Sequence, residues 1–323
     1  MCRFLSYKEA PVLMDELLYQ PRNSLIRQSF KAREREEPLN GDGFGVGWYM
    51  PEIDTIPAVF TSVQPAWNNM NLQSLAPKIR SGLVFAHIRA ASSGGVSQLN
   101  CHPFRYRNYL FMHNGSVGGF RVIKRALRRR LPDDIYDWIN GETDTEHLFA
   151  LFLEQLQAGR NSNSADDIKR ALISSFSILK ELQLEYGITR PSYLNVVVTD
   201  GNCLIATRYV SVSNLKPHTL YHSEGSRYEC VDGICKMQDG DISEHAVLIV
   251  SEKLTDVKKD WQKVPPNHLV IVDEAHRTQS GKMHDAMRAF LPEAMFIGFT
   301  GTPLLKTDKE TSIEQFGSFI HTY

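Results

Sequence analysis

The sequence predicts an α+β fold, and three observations carry that reading. Short apolar runs of strand length recur along the chain, at 83–90, 109–113, 193–199, 203–207, 246–250 and 268–272. Two stretches, 146–156 and 168–184, carry apolar residues at helical spacing. With 323 residues, 42% hydrophobic and 23% charged, the chain can bury a substantial core as one large domain or two ordinary ones.

The elements can be justified in order. The glycine-rich segment 40–49, NGDGFGVGWY, is followed by apolar residues that suggest a strand. Its glycines permit positive φ and close backbone approach. Neither GxxxxGK[ST] nor GxGxxG before a helix is present, so the segment reads as a tight turn beside a site rather than a phosphate loop. Residues 121–130 hold six basic side chains and read as a solvated helix face rather than a nucleic-acid site. Thr143 and Glu146 have capping-box spacing and should start the first long helix. Residues 157–167 are polar and rich in Ser and Asn, which predicts a loop. No internal repeat is visible.

Composition excludes several classes. A net charge of −1 gives no global pull toward nucleic acid or an acidic membrane. No apolar run approaches the ~18 residues of a membrane span, and the N-terminus lacks a basic-then-apolar signal pattern. Five cysteines, Cys2, Cys101, Cys203, Cys230 and Cys235, are an odd number without a CxxC pair. That argues against a disulfide framework and against zinc, and a cytoplasmic location is expected.

Chemistry begins at Cys2. Cleaving Met1 would make it the N-terminal residue, with a thiol and a free α-amine on one carbon. The thiolate is the nucleophile, and a thiol is barely ionised at neutral pH. An α-amine has a pKa of about 7.7–8.0 and can accept the proton. The bland alternative is a small buried side chain.

Three further segments bear on that choice. In 83–92, LVFAHIRAAS, strand alternation puts His87 and Arg89 on one face. An arginine ending an apolar strand needs an anion, either in an internal salt bridge or as a bound carboxylate matched to its fork. In 100–115, NCHPFRYRNYLFMHNG, Asn114-Gly115 fits a hairpin turn, or an amide and a backbone N–H aimed at an oxyanion. In 142–146, ETDTE, Asp144 is a helix-start residue or a carboxylate for an ammonium group.

Together these segments resemble the class II glutamine amidotransferases, members of the N-terminal nucleophile hydrolases. The resemblance spans about residues 2–270: Cys2 with Arg3-Phe4, GDGFGVGWY, AHIRAAS, NCHPF, MHNG and TDTE in the family's order. NCHPF followed by FMHNG is most similar to the stand-alone members of ergothioneine-pathway and glutathione-degrading type. The resemblance implies a four-layer αββα sandwich. It also implies Cys2 as nucleophile with its α-amine as base, and Asn114 and Gly115 as the oxyanion hole. Arg89 would bind the α-carboxylate of a γ-glutamyl group and Asp144 its α-ammonium, with His102 lining the site. In amino-sugar and purine amidotransferases a Trp follows the site arginine. Here it is Ala90, so closure is expected to differ and the γ-substituent to be larger than an amide. No metal or other cofactor is expected. The expected partners are glutamine or a γ-glutamyl small molecule, and an ammonia-accepting or other partner subunit.

From His268 the chain resembles part of the motor subunit of type I restriction enzymes. DEAH at 273–276 resembles a Walker B box and TGTP at 300–303 a motif coupling ATP hydrolysis to DNA movement. The resemblance implies that Asp273 would hold magnesium and Glu274 would activate water. The sequence has no GxxxxGK[ST] to cradle phosphates. The tail is expected to form strand, helix (about 282–290) and strand (about 294–299), and a lone βαβ unit cannot bury both strand faces. The expected division is an amidotransferase domain over 2–272 and a truncated motor fragment over 273–323, a chimeric frame rather than a recruited binding module. The competing functions are a DNA translocase component, disfavoured by the missing phosphate loop, and a non-catalytic subunit that only binds a γ-glutamyl ligand.

Overall fold

Alternation organises the first strand, β1 (Arg3–Leu13): Phe4 enters one buried layer, and Leu5 and Tyr7 enter another. The computed structural model describes residues 2–34, 39–91, 94–159, 165–231, 233–238, 246–273 and the backbone of 296–299. After β1 come α1 (Met14–Leu18), α2 (Leu25–Lys31), β2 (Phe44–Met50), β3 (Asp54–Ser62), α3 (Met70–Leu75) and β4 (Arg80–Ile88). Next are β5 (Phe104–Tyr106), β6 (Tyr109–Ser116), α4 (Phe120–Arg128), α5 (Asp133–Trp138), α6 (Asp144–Ala158) and α7 (Ala165–Glu185). The remaining strands are β7 (Tyr193–Thr199), β8 (Leu204–Val210), β9 (Tyr221–Gly225), β10 (Arg227–Val231), β11 (Ile234–Gln238), β12 (Ala246–Val250), β13 (Gln262–Lys263), β14 (His268–Val272) and β15 (Phe296–Phe299).

Two sheets stack face to face. One has the order β13-β9-β12-β1-β4-β2-β3, and the other β15-β14-β8-β7-β6-β5. Among the described residues every pairing is antiparallel except β14 with β15. Phe4, Phe85 and Ile249 of the first sheet meet Met112, Val197, Ala206 and Val270 of the second. Behind the first sheet, Leu5, Tyr7, Ala86 and Leu248 pack on Met14, Leu17 and Leu25 of α1 and α2. Behind the second, Phe111, Val196, Ile205 and Ile271 pack under α6 and α7, with Phe111 stacked on Phe149 at 4.8 Å between ring centroids. Each fully buried large apolar side chain contributes about 1.5–3 kcal/mol. This is the αββα sandwich that the sequence led us to expect. No helix of the described residues is long and apolar enough to cross a membrane.

α6 is buried all round over its first ten residues because it lies between the second sheet and the neighbouring helices. Thr143 caps it as expected, its Oγ1 accepting from Glu146 N at 3.1 Å. The reciprocal half of the capping box is absent. The Glu146 carboxylate instead accepts from Asn140 N (2.9 Å) and Gly141 N (2.8 Å), closing the turn before the helix. The predicted loop is shorter than 157–167, since α6 runs to Ala158 and α7 starts at Ala165. The basic run forms α4, with Phe120, Ile123 and Leu127 buried.

Two expectations are corrected. Asn114 and Gly115 are not a hairpin turn: they lie inside β6, opposite Asn195 and Leu194 of β7. Cys230 and Cys235 form a disulfide. They face each other across the β10–β11 hairpin, so strand register brings their Cα atoms to 4.0 Å, a juxtaposition that counting cysteines does not reveal. β14, the last strand of the expected 2–272 unit, is built into the second sheet. It pairs antiparallel with β8, and both its faces are buried, Leu269 and Ile271 under the helices and Val270 and Val272 between the sheets. β15 runs parallel beside β14, where the sequence predicts the tail's last strand. The predicted helix at 282–290 and the TGTP segment at 300–303 lie outside the described residues.

Candidate active site

The candidate site sits where β1 and β4 emerge at one end of the gap between the sheets. Phe4 is paired with His87 and Arg3 with Ile88, so Cys2 continues the ladder toward Arg89. Cys2 Sγ lies 3.5 Å from Ala90 N and 3.6 Å from Ala90 O. By strand alternation Cys2 and Phe4 share the inter-sheet side with His87 and Arg89. Burial pushes the Cys2 thiol up, while the Ala90 hydrogen bond and the positive charge of Arg89 pull it down.

The end of β4 is held by the glycine turn. Arg89 N donates to Gly43 O at 2.8 Å and Asp42 N to Arg89 O at 3.0 Å, and the Asp42 carboxylate accepts from Ala91 N at 2.7 Å. Gly43 has φ +117°, and a Cβ there would lie 2.7 Å from Cys101 Sγ, so the turn closes only with glycine. The segment is therefore a tight turn beside the site, as its sequence suggested. The Arg89 side chain is 3% exposed, with Nη1 donating to Gly95 O (3.2 Å) and Nη2 to Gly94 O (3.4 Å). Asn100 fastens the same loop, donating to Gly95 O and accepting from Glu142 N.

The second sheet contributes Asn114 and Gly115. Asn114 Nδ2 donates to Ser251 Oγ at 3.1 Å, and that hydroxyl also accepts from Phe4 N at 3.1 Å. Ser251 thus ties the start of β1 to β6 across the gap. The Asn114 amide has two N–H groups and this contact uses one. Gly115 has φ +142°, and a Cβ there would fall 1.9 Å from Tyr193 O. Asp144, first residue of α6, accepts through Oδ2 from Val117 N at 2.8 Å, which sets its carboxylate just beyond Gly115. His102 lies deeper, with its ring 4.1 Å from that of His87 and 5.0 Å from that of Phe104. Burial holds His102 well below the ordinary imidazole range and pushes His87 down to about 3, so both rings are neutral.

Cys2, Arg89, Asn114, Gly115 and Asp144 thus converge, and His102 lies behind them. Asp273 does not join them. It follows Val272, whose ladder runs through Leu204, Thr199 and Leu110, at the opposite end of the second sheet from Asn114. Glu274 lies outside the described residues. Two residues escaped sequence reasoning. Ser251 is one, and Glu252 the other. The Glu252 carboxylate accepts from Arg3 Nε (3.0 Å), Asn23 Nδ2 (3.0 Å), Arg33 N (2.8 Å) and Glu34 N (3.3 Å). The only available signal was a polar Ser-Glu immediately after an apolar strand.

Known proteins resemble this chain in sequence and in fold. The chain is 37% identical over 293 residues to a probable glutamine amidotransferase, DUG3, of Saccharomyces cerevisiae, covering 84% of this chain and 82% of that protein. It is 34% identical over 281 residues to the gamma-glutamyl-hercynylcysteine sulfoxide hydrolase of Mycobacterium tuberculosis, covering 85% and 94%. The structure of a glutamine aminotransferase class-II domain protein from silicibacter pomeroyi superposes with a TM-score of 0.59 at 26% identity, covering 84% and 94%. A SWI2/SNF2 ATPase profile matches residues 218–323. That match begins inside the sandwich, since β9, β12, β13 and β14 all fall within it. The chain belongs to the class II glutamine amidotransferases, enzymes with the N-terminal nucleophile hydrolase fold.

Two outcomes are expected. Glu252→Ala leaves Arg3 buried without its counter-charge, a loss of about 3–5 kcal/mol. Urea denaturation should show that loss, and an unchanged midpoint would remove Glu252 from its anchoring role. The second concerns pH. Burial pushes His222 down to about 4, against about 6.5 for an unfolded imidazole. Between those values the unfolded chain binds a proton that the native chain does not, so His222 costs stability as pH falls. Glu16, Glu146 and Glu224, raised by burial, act in the opposite sense at the acid end. The measurement is therefore a difference. His222→Gln should lose less stability than the parent between pH 7 and pH 5, and parallel losses would show that His222 does not contribute.

Proposed function

We propose that this chain hydrolyses the γ-amide of glutamine or of a larger γ-glutamyl compound through a thioester on Cys2. The carrying observation is the half-buried Cys2 thiol, held against the Ala90 backbone beside Arg89 at the mouth of the inter-sheet gap. A thiol raised by burial needs a base, and loss of Met1 would supply one as the α-amine of Cys2. The amine takes the thiol proton, and the thiolate adds to the γ-carbonyl. The oxyanion receives hydrogen bonds from the Asn114 amide and the Gly115 N–H. Collapse breaks the C–N bond, the leaving amine takes the proton from the α-ammonium, and a γ-glutamyl thioester remains. Water then adds to the thioester, giving its proton to the amine, and glutamate leaves as the thiol reforms. Arg89 would pair with the substrate α-carboxylate and Asp144 with its α-ammonium, so the three polar features of a γ-glutamyl group each meet a counterpart. The hydrolase among the relatives, and Ala90 in place of a tryptophan, support a γ-substituent larger than an amide.

The same reading assigns residues from Asp273 onward to a motor-like segment that takes no part in this chemistry. Asp273 lies at the opposite end of the second sheet from Asn114, and the sequence contains no phosphate loop.

Three experiments test these assignments. Intact mass after exposure to a γ-glutamyl diazoketone should show loss of Met1 and one adduct. Cys2→Ala should form no adduct and show no turnover while still binding glutamine, and turnover by that variant would end the mechanism. Arg89→Lys should lower kcat/KM roughly 10- to 100-fold, on the order of 1.5–3 kcal/mol for hydrogen bonds to a charged group, because lysine lacks the bidentate fork. A change below about twofold would mean that Arg89 does not hold substrate. Finally, a chain ending at Val272 should keep full amidohydrolase activity, whereas ending before His268 should remove it by stripping β14 from the sheet. DNA-stimulated ATPase in the full chain, lost on Glu274→Gln, would instead support the translocase reading.

A further inference from the structure

A second concave site lies on the helical layer behind the second sheet. Arg121, Lys124, Arg125, Arg128 and Arg129 of α4 and its C-cap, with Tyr136 of α5, line a groove of about 470 Å³. That size is within the range of small-molecule sites. Phe120, Ile123 and Leu127 bury the opposite face of α4, so helical periodicity puts the five cations outward. Among the described residues none of the five forms an ion pair with a carboxylate. The nearby Glu146 is already engaged by the backbone of Asn140 and Gly141.

One member of the set is held in place. Arg128 Nε donates to His147 Nε2 at 2.9 Å, and its guanidinium lies 5.6 Å from the centre of the Tyr136 ring. His147 Nδ1 in turn bonds Thr143 O at 2.7 Å, which fixes the tautomer that lets Nε2 accept. With Nε committed, the two terminal amino groups of Arg128 remain to face the groove. Concentrating five positive charges on one helix face costs energy through mutual repulsion, and a bound anion reduces that cost.

We infer that this groove binds a small anion bearing two or three linked phosphates, a site separate from the Cys2 chemistry. Positions 121 to 129 span roughly 12 Å of helix at 1.5 Å per residue. A single phosphate reaches only part of that length, whereas a chain of phosphates reaches most of it. Arginine forks bind phosphate oxygens in pairs. A polynucleotide fits less well, because α5, the other wall, carries Asp133, Asp134 and Asp137.

Calorimetric titration of the full chain with inorganic triphosphate at low salt tests the inference. Saturable binding should appear and should weaken at least tenfold in Arg125→Glu/Arg129→Glu. Both side chains are exposed, so the variant should keep its thermal midpoint without ligand. Arg128→Lys, which cannot hold the same fork, should also bind more weakly. Tighter binding of ATP than of triphosphate would place a base on Tyr136, and equal binding would assign the phosphates alone. No binding at millimolar triphosphate, or equal binding by the double variant, would overturn the site. Affinity for single-stranded oligonucleotides that rises with length and exceeds that for triphosphate would replace it with a nucleic-acid surface.

Discussion

The start of β1 in the candidate site rests on the buried ion pair between Arg3 and Glu252. Chain ends fray unless they are tied down. Here the residue next to Cys2 is tied by charge. Arg3 and Glu252 side chains are each 2% exposed, and Glu252 takes up four hydrogen bonds from Arg3, Asn23, Arg33 and Glu34. Taking two charges out of water costs several kcal/mol per ion, and only dense hydrogen bonding offsets it. The carboxylate has that bonding. Arg3 also donates from Nη1 to Cys2 O at 3.2 Å, so the anchor acts on the peptide group of Cys2 itself.

Ser251 extends this anchor across the gap. Its position next to Glu252 is no accident of numbering, since β12 pairs with β1 and delivers both residues to the start of that strand. Ser251 N donates to Phe4 O, and its hydroxyl accepts from Phe4 N and Asn114 Nδ2. One side chain therefore links the strand that follows Cys2 to the amide proposed for the oxyanion. Asp144 is placed from the other side, by the N-terminus of a helix whose buried surround leaves it little freedom. Three elements remote in sequence, β1, β6 and α6, are joined at the site by a few hydrogen bonds, those of Ser251 and those of Asp144 with Val117 and of His113 with Thr145.

What was legible in the sequence followed from local patterning. The runs in β4, β6, β7, β8, β12 and β14 were visible because those strands are buried and apolar, and α6 and α7 because their periodicity is long. β1 was not read as an eleven-residue strand because Arg3, Ser6, Lys8 and Glu9 interrupt its apolar character. Arg3 is accommodated only by Glu252, 249 residues away. β10 and β11 were missed for a similar reason, since their disulfide and register belong to the hairpin rather than to either segment. Cys2 and Arg89 stood out by their chemistry, whereas Asn114, Gly115 and Asp144 each had an ordinary structural reading and were assigned through the family resemblance of their segments. Ser251 and Glu252 could not be proposed, because their roles are defined by partners.

The junction at β14 shows how a strand can serve two contexts. Its five residues, His268-Leu-Val-Ile-Val272, are apolar on both faces, and the sandwich buries both faces beside β8. A central strand of a parallel motor sheet has the same requirement, since strands covered by helices on both sides read as continuous apolar runs. The sequence HLVIV therefore satisfies either environment. The outer edge of β14 then meets β15 in parallel, the only parallel pairing among the described strands. β14 and β15 lie on the side of the second sheet remote from β6, the strand that carries Asn114 and Gly115.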